Sequence, residues 1–429
     1  MTVAVIGAGL SGLCAGYELS KKGIDVAIFE KGEIGGLVSS YNINNYHIEK
    51  YYHHIFRSDE TILKLISDLG LGSKLKWLKG TTGYYNNGKI YPLNTPGEIL
   101  QYPYLSLFEK VKLASLVLRS KRKNIEDSDN ITAKDFILNT AGKSVYENFF
   151  EPLLKSKFGD EKDTVSASWL LSRIKIRSDR SLGGERLGYL KGGFYLLVEA
   201  MLKEIEDRGG EIKKTPVNKL IIKDNKVNGI ETDNKFISCD NIISTTSATV
   251  LNKIIGTPLI KGIKYQGTTC AIFALKERLM ENIYWLNIKA DVPFGAVIEH
   301  TNFALFDDYG EHLVYVTSYF NDLNNPLWKM SEEKVIKLYL DGLKKLFPGF
   351  NESVIKWWKL TRNIDTAPIF ETGFRNKVLP YKTKIRGLYL AGMFSLPNYP
   401  ERSMNGSIKA GSGCVKKILE DEFAEEKKC

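Results

Sequence analysis

The chain has 429 residues, 43% of them hydrophobic and 11% aromatic, and a formal net charge of +10. That is enough apolar material for two or three packed units, yet no run reaches the ~18 consecutive apolar residues of a membrane-spanning helix. Cys14, Cys239, Cys270, Cys414 and Cys429 are scattered without CxxC spacing, which argues against a disulfide framework or a zinc site and for a reducing, cytoplasmic setting. The excess of Lys and Arg reads first as the habit of a Lys- and Asn-rich sequence. Its second reading is an anionic substrate or a membrane surface. No nucleic-acid partner and no metal site are expected, and the oligomeric state is open.

Residues 3–6 are four apolar residues in a row and read as a buried parallel strand. It starts so early that no signal peptide is expected. Gly7, Gly9 and Gly12 follow at G-x-G-x-x-G spacing, and a helical pattern begins at Leu10 and Ser11. In such a turn the first glycine permits the sharp bend, the second lets a pyrophosphate approach the backbone, and the third lets helix and strand pack closely. The helix start offers free N–H groups and a positive dipole end to phosphate. A second strand, residues 25–29, ends at Glu30, 18 positions after Gly12, where an acid suits the adenosine ribose hydroxyl. Glycine spacing alone is weak; with strand, helix and acid in place it predicts a dinucleotide site.

Lys31 and the pair Gly35-Gly36, followed by Leu37, form a loop that would bring backbone against the same ligand. Between His47 and Phe56 stand three of the five histidines. His54, and after it His53, are expected beside the ligand; polar filler in an aromatic strand is the plainer reading, and the spacing does not suit a metal. Residues 60–69 form an amphipathic helix. Residues 83–91 form a hairpin with Asn87-Gly88 at its tip, leading into Tyr91-Pro92-Leu93-Asn94. Residues 108–123 are read as a core helix with cations in its last turn, where they suit the dipole. A basic helix lying on a membrane is the alternative, so peripheral membrane contact stays open.

Residues 131–177 look helical, with Thr132 as a cap and a lid as their role. Gly192-Gly193 precedes a helix over 195–208. Strands follow over 217–222 and 226–231, joined by Asp224-Asn225, and then 240–245. Strands around 271–274, 295–299 and 313–317 suggest a second sheet. Glu299, His300, Thr301 and Asn302 either face a cavity or make a strand-end turn. A helix over 332–346 and an apolar strand over 387–392 come next. The loop 398–407 precedes a helix over 408–419, and 423–429 is a charged tail.

Three stretches together carry a resemblance: the glycine turn with Glu30 and Gly35-Gly36, the Gly192-Gly193 helix with Val217, and Leu388-Tyr389-Leu390-Ala391-Gly392 with Met404-Asn405-Gly406. In this order they resemble the FAD-dependent oxidoreductases of the amine oxidase, protoporphyrinogen oxidase and phytoene desaturase superfamily. UDP-galactopyranose mutases are their structural cousins. The resemblance covers roughly residues 1–70, 185–250 and 385–419.

It implies an α/β fold: a discontinuous Rossmann-like FAD-binding domain of the glutathione reductase type (1–70, 185–250 and 385–429) and a substrate domain of mixed sheet and helices with a helical lid (71–184 and 251–384). It implies FAD contacts at Gly7, Gly9, Leu10, Ser11, Gly12, Glu30, Lys31, Gly35, Gly36, Leu37, Val217, Gly392, Met393, Met404 and Asn405. Two positions depart from the superfamily: Leu37 stands where it has Arg, and Met393 where it has Asp. His54 and Arg402 are the catalytic candidates beside the flavin ring, with Tyr399 as a cavity wall. No cysteine lies between Cys270 and Cys414, so the FAD is expected to be non-covalent. One fingerprint only is present, since Gly183-Gly184 and Gly192-Gly193 lack a preceding strand, so NAD(P)H has no domain of its own.

The expected activity is hydride transfer between FAD and a small organic molecule. Arg173, Lys175, Arg177 and Arg186 would suit an anionic one, or are solvated surface. A mutase acting on a nucleotide sugar with reduced FAD is the alternative, supported by His54-Ile55-Phe56 and Tyr91-Pro92-Leu93. A flavin-binding scaffold without turnover is the third reading.

Overall fold

The structure, a computed structural model, describes residues 1–177, 184–233 and 235–426. Gly183, Cys429 and the end of the charged tail lie outside the described residues. Strands Thr2–Ile6, Asp25–Phe29, Glu211–Lys213, Asn241–Ser244 and Leu388–Leu390 form one wholly parallel sheet, with Thr2–Ile6 at its centre. Its residues alternate between two cores, as a strand's two faces must. Val3 and Val5 pack with Leu13, Met201 and Ile408 under helices Leu10–Ser20, Tyr195–Asp207 and Met404–Glu426. Ala4 and Ile6 pack with Leu220, Val227 and Leu251, beneath the antiparallel strands Val217–Lys223 and Lys226–Thr232 and helix Ala248–Ile255. A strand buried on both faces reads as a continuous apolar run, as residues 3–6 do.

The second sheet has seven strands, in the order Ile355–Pro368, Tyr265–Leu275, His312–Phe320, Ala296–Glu299, Trp285–Lys289, Thr82–Asn86, Lys89–Pro92. Helix Glu332–Leu346 covers one face through Val335, Tyr339 and Leu343. A helical layer, chiefly Leu107–Arg122, Ala133–Ala141, Glu151–Phe158 and Ala167–Ile176, forms its own core around Leu116, Ile137, Phe158 and Leu171.

Most expected elements are present, with differences that have physical causes. The hairpin turns at Asn87 and Gly88, both at positive φ (48° and 78°), the conformation a two-residue turn between twisted strands needs. Thr132 caps its helix through the Asp135 amide at 2.9 Å. The strand expected over 271–274 runs from Tyr265 to Leu275 with every residue buried. Its polar start, Gln266-Gly267-Thr268-Thr269, is satisfied by neighbours remote in sequence: the Thr268 and Thr366 hydroxyls pair at 2.8 Å. The 14-residue strand Ile355–Pro368 was not expected; it lies at the sheet edge, where Lys, Arg and Asp interrupt any apolar alternation. The final helix starts at Met404, four residues before the expected start, because Ser403 caps it: the Gly406 amide donates to Ser403 Oγ at 2.9 Å.

Candidate active site

The glycine turn is built for an anion. Gly9 is the N-cap of helix Leu10–Ser20 and supplies no side-chain acceptor to its first-turn N–H groups. A Cβ on Gly9 would meet nothing within 4 Å, so the space before the turn is open. A Cβ on Gly12 would lie 1.9 Å from the Gly7 carbonyl oxygen, so only glycine permits this approach of helix to strand. Glu30 is fixed at the strand end: its carboxylate accepts from the Ala8 amide at 2.8 Å and the Gly32 amide at 2.7 Å. The following loop is zipped onto the turn by the Gly35 amide, which donates to Ala8 O at 2.8 Å. Gly35 and Gly36 both take positive φ, and a Cβ on Gly36 would come 3.2 Å from Gly9 Cα.

The C-terminal motif joins this edge. Ser11 Oγ donates to Ala391 O at 2.7 Å, and a Cβ on Gly411 would lie 2.2 Å from Ser11 O, so the first and last helices are in backbone contact. Leu10 is buried in the core and Asn405 Oδ1 accepts from the Ile62 amide at 3.0 Å. The side chains of Leu10, Ser11 and Asn405 therefore hold the framework. Glu49, with no role assigned from sequence, is fully buried and anchors the Gly192-Gly193 turn. It accepts from Tyr189 Oη at 2.7 Å and from the Phe194 amide at 2.5 Å. An open glycine cradle, an uncapped helix end and a fixed acid fit the pyrophosphate and ribose of a dinucleotide.

Beside this edge opens a cavity of 640 Å³. Leu37, His53, His54, Arg402 and Met404 line it, so four of the residues singled out for cofactor or catalysis converge there with His53. His53 Nδ1 lies 2.7 Å from Tyr51 O, which fixes the proton on Nδ1 and leaves Nε2 as an acceptor. Burial, and then the Arg402 charge, pull its pKa down to about 3. His54 packs edge-on against Phe56 and Tyr284 and pairs with Tyr284 Oη at 3.1 Å. Burial, with Arg177 and Arg173 nearby, holds it well below the usual histidine range. Both imidazoles are neutral at pH 7. Tyr52 and Tyr319 join their hydroxyls in the same wall.

Most of the remaining wall is apolar, including Leu93, Phe149, Leu154 and Phe158. Lys157, Arg173, Arg177 and Arg402 line it as well, and so do the carboxylates of Glu401 and Asp59. Lys157 Nζ is 3.8 Å and Arg173 Nη1 3.6 Å from Glu401 Oε1, while Glu401 Oε2 is buried without a partner. Burial is the largest influence on Lys157. Glu401 opposes it, the three arginines reinforce it, and the ammonium is pulled down to about 8.

Not every expected residue reaches the cavity. Arg173 and Arg177 do, being four apart on one helix face. Lys175, between them, donates to Lys123 O, and Arg186 reaches the Trp77 carbonyl on the surface. Tyr399 is absent from the lining: its hydroxyl donates to Asp129 at 2.6 Å and its ring stacks on Phe374, so it secures the last loop to the helical layer. Glu299 to Asn302 make a strand-end turn, not a cavity wall. Glu299 accepts from the Leu279 and Met280 amides, and Asn302 donates to Met280 O and Ile283 O. Lys157 and Glu401 were missed; a lysine in a helical pattern looks like any surface lysine until the fold buries it. Among the described residues no group of three or more His, Cys, Asp or Glu could hold a metal.

The sequence pattern of flavin containing amine oxidoreductases matches residues 10–419. The chain belongs to this family. It is a FAD-dependent oxidoreductase, and the cradle at Gly7, Gly9, Gly12 and Glu30 fits that cofactor. The chain is similar to the coproporphyrinogen III oxidase of Staphylococcus aureus, 26% identical over 326 residues, 66% of this chain and 69% of the relative. In fold it is similar to a protein assigned as a protoporphyrinogen oxidase from Exiguobacterium sp. 255-15, with TM-score 0.79, 19% identity and coverage of 98% and 99% of the two chains. It is likewise similar to a reduced UDP-galactopyranose mutase, with TM-score 0.74, 17% identity and coverage of 98% and 95%. The cationic cluster is drawn from separate parts of the chain. It lines the cavity through helices Glu151–Phe158 and Ala167–Ile176, the residue that ends the second, and the last loop.

Proposed function

We propose that this flavin-containing oxidoreductase binds FAD non-covalently in a glutathione reductase-type Rossmann arrangement and acts on an amphiphile with an extended apolar body and an anionic group. The cluster carries this reading: Lys157, Arg173, Arg177 and Arg402 share a mostly apolar cavity with Glu401. Charges in a low-dielectric wall act strongly on whatever enters. A carboxylate or phosphate offsets the surplus, whereas a protonated amine meets like charge. FAD, when bound, supplies the two-electron chemistry, taking a hydride from carbon or returning one. Gly7, Gly9, Gly12, Glu30, Gly35, Gly36, Val217, Gly392 and Met393 would hold it, mainly through backbone. Lys31 stands exposed beside Glu30 at the adenosine end.

The chain's own residues then orient the substrate. Arg173 and Lys157 hold the anionic end, and the apolar wall excludes water from the reacting carbon. His53 Nε2 stays an acceptor, and neutral His54 gives a hydrogen-bonding surface with little power as a base. The test uses optical perturbation of the flavin by three probes of equal length. Decanoate is expected to bind at least tenfold more tightly than decanol, and decylamine more weakly than either. Tightest binding by decylamine would overturn the anionic reading.

A sugar mutase is the second reading, because Leu93 and Asn94, of the segment similar to mutases, line the cavity. The apolar remainder of the wall weighs against a nucleotide sugar. A mutase would show no net substrate oxidation and would need prior reduction.

A further inference from the structure

Twelve large apolar side chains are exposed among the described residues, and five of them lie between residues 100 and 118. Leu100 is 57% exposed, Leu107 72%, Phe108 68%, Val111 65% and Leu118 63%. On helix Leu107–Arg122, Leu107, Val111, Ala114 and Leu118 recur at i, i+4, i+7 and i+11, so they form one stripe. Phe108 widens it. The opposite face, Leu113, Leu116 and Ser120, is the buried one. The helix therefore turns an apolar stripe outward as well as inward. Its inner face and its last-turn cations Arg119, Lys121 and Arg122 are those of the core helix that its sequence suggested, and the outer stripe is additional.

Cations flank the stripe. Lys110 and Lys121 lie on one side by helical angle, Lys112 and Arg119 on the other, and Arg122 and Lys123 follow at the end. Over residues 96–123 the acids are Glu98 and Glu109 alone, and both close capping boxes at helix starts. This is the pattern of a helix that lies in a lipid headgroup layer: an apolar face edged by cations and set against anionic lipid. A membrane-crossing role is not at issue, since no described helix is long and apolar enough to span a bilayer.

The stripe adjoins the active cavity. Leu118 is exposed on the outer face and also lines the cavity, and its neighbours Val117 and Lys121 line it too. The cavity mouth and the apolar face are thus one surface. We propose that this face, helices Pro96–Gln101 and Leu107–Arg122, seats on an anionic lipid bilayer, and that the cavity opens into the lipid layer so that the substrate enters from the leaflet. The second half rests on the amphiphile reading above; the seating does not. The anionic lipid, rather than another protein surface, is chosen because the cations ring the stripe on both sides and extend past its end.

The experiment is co-sedimentation of FAD-loaded protein with vesicles. One set is 30% phosphatidylglycerol in phosphatidylcholine, the other pure phosphatidylcholine. The wild type is expected to bind the anionic vesicles at least tenfold more tightly than the neutral ones, and less tightly in 0.5 M NaCl. The double variant Phe108→Glu, Val111→Glu is expected to lose at least tenfold, with FAD content and thermal midpoint unchanged because both side chains are exposed. Leu323→Glu, at an exposed apolar site elsewhere, is expected to bind as wild type. Failure of the wild type to bind the anionic vesicles, or equal binding by the double variant, overturns the seating. So does a monomer–dimer shift on making the double variant with no vesicle binding by either form, which assigns the face to a second copy. None of these readouts needs turnover, so failure to find an oxidisable amphiphile leaves them standing.

Discussion

Lys157 offers the most quantitative handle on the site. Its ammonium is pulled from 10.5 down to about 8, mainly by burial and then by Arg173, Arg402 and Arg177 against the opposing Glu401. An anion bound beside it restores the charged form toward its ordinary range. Linkage then makes anion affinity pH-dependent. Below pH 8 Lys157 is already charged and affinity is flat. Above it, binding must take up a proton, and affinity falls about tenfold per pH unit until the pKa of the bound form is reached. If binding restores 10.5, the loss between pH 7 and pH 9.5 is about 30-fold. Decanoate keeps a constant charge over this range, so its titration against flavin absorbance is the assay. Lys157→Met is expected to bind more weakly at pH 7 and to show a flat profile; Lys157→Arg is expected to stay tight and flat. The stability sign follows from the same shift. The folded state disfavours the charge, so the penalty is fully present below about pH 8 and fades as pH rises toward 10.5. Lys157→Met should therefore raise the thermal midpoint at pH 7. An unchanged 30-fold slope in Lys157→Met would show that another group titrates and would refute the assignment.

Gly12→Ala must move helix from strand by about 1.5 Å to relieve the Gly7 carbonyl, and overpacking of this kind costs about 1–3 kcal/mol; the flavin-to-protein ratio on purification should fall severalfold, while Gly72→Ala, outside the left-handed region and with nothing near, should leave it unchanged. Ser403→Ala removes the cap of the last helix and should cost about 1 kcal/mol in denaturant unfolding. Acid precipitation should release all the yellow colour into the supernatant; colour kept in the pellet would contradict non-covalent binding.

The parallel sheet and its cradle were legible because they depend on local chemistry. Residues 3–6 are apolar on both faces, the glycines sit where backbones touch, and Glu30 ends a strand. The hairpin at Asn87-Gly88 was legible for the same reason. The cationic site was legible only in part: Arg173, Arg177 and Arg402 were singled out, but Lys157 and Glu401 acquire meaning only where the fold brings separate segments together. Tyr399 was misjudged on proximity: it neighbours Glu401 and Arg402 in sequence, but its ring turns away to Phe374. Helix Leu107–Arg122 shows a third limit. Apolar residues on both sides of a helix do not say which side the protein covers.

The central claim is that this chain oxidises or reduces an anionic amphiphile through bound FAD. It is tested most directly by an anaerobic flavin spectrum of the purified protein titrated in turn with a carboxylated porphyrinogen, a prenyl diphosphate, simple amines and a UDP-sugar. Stoichiometric bleaching by one of the anionic amphiphiles, with none by amines, is the predicted result. Bleaching by amines alone, or a response to UDP-sugar only after prior reduction, would contradict it.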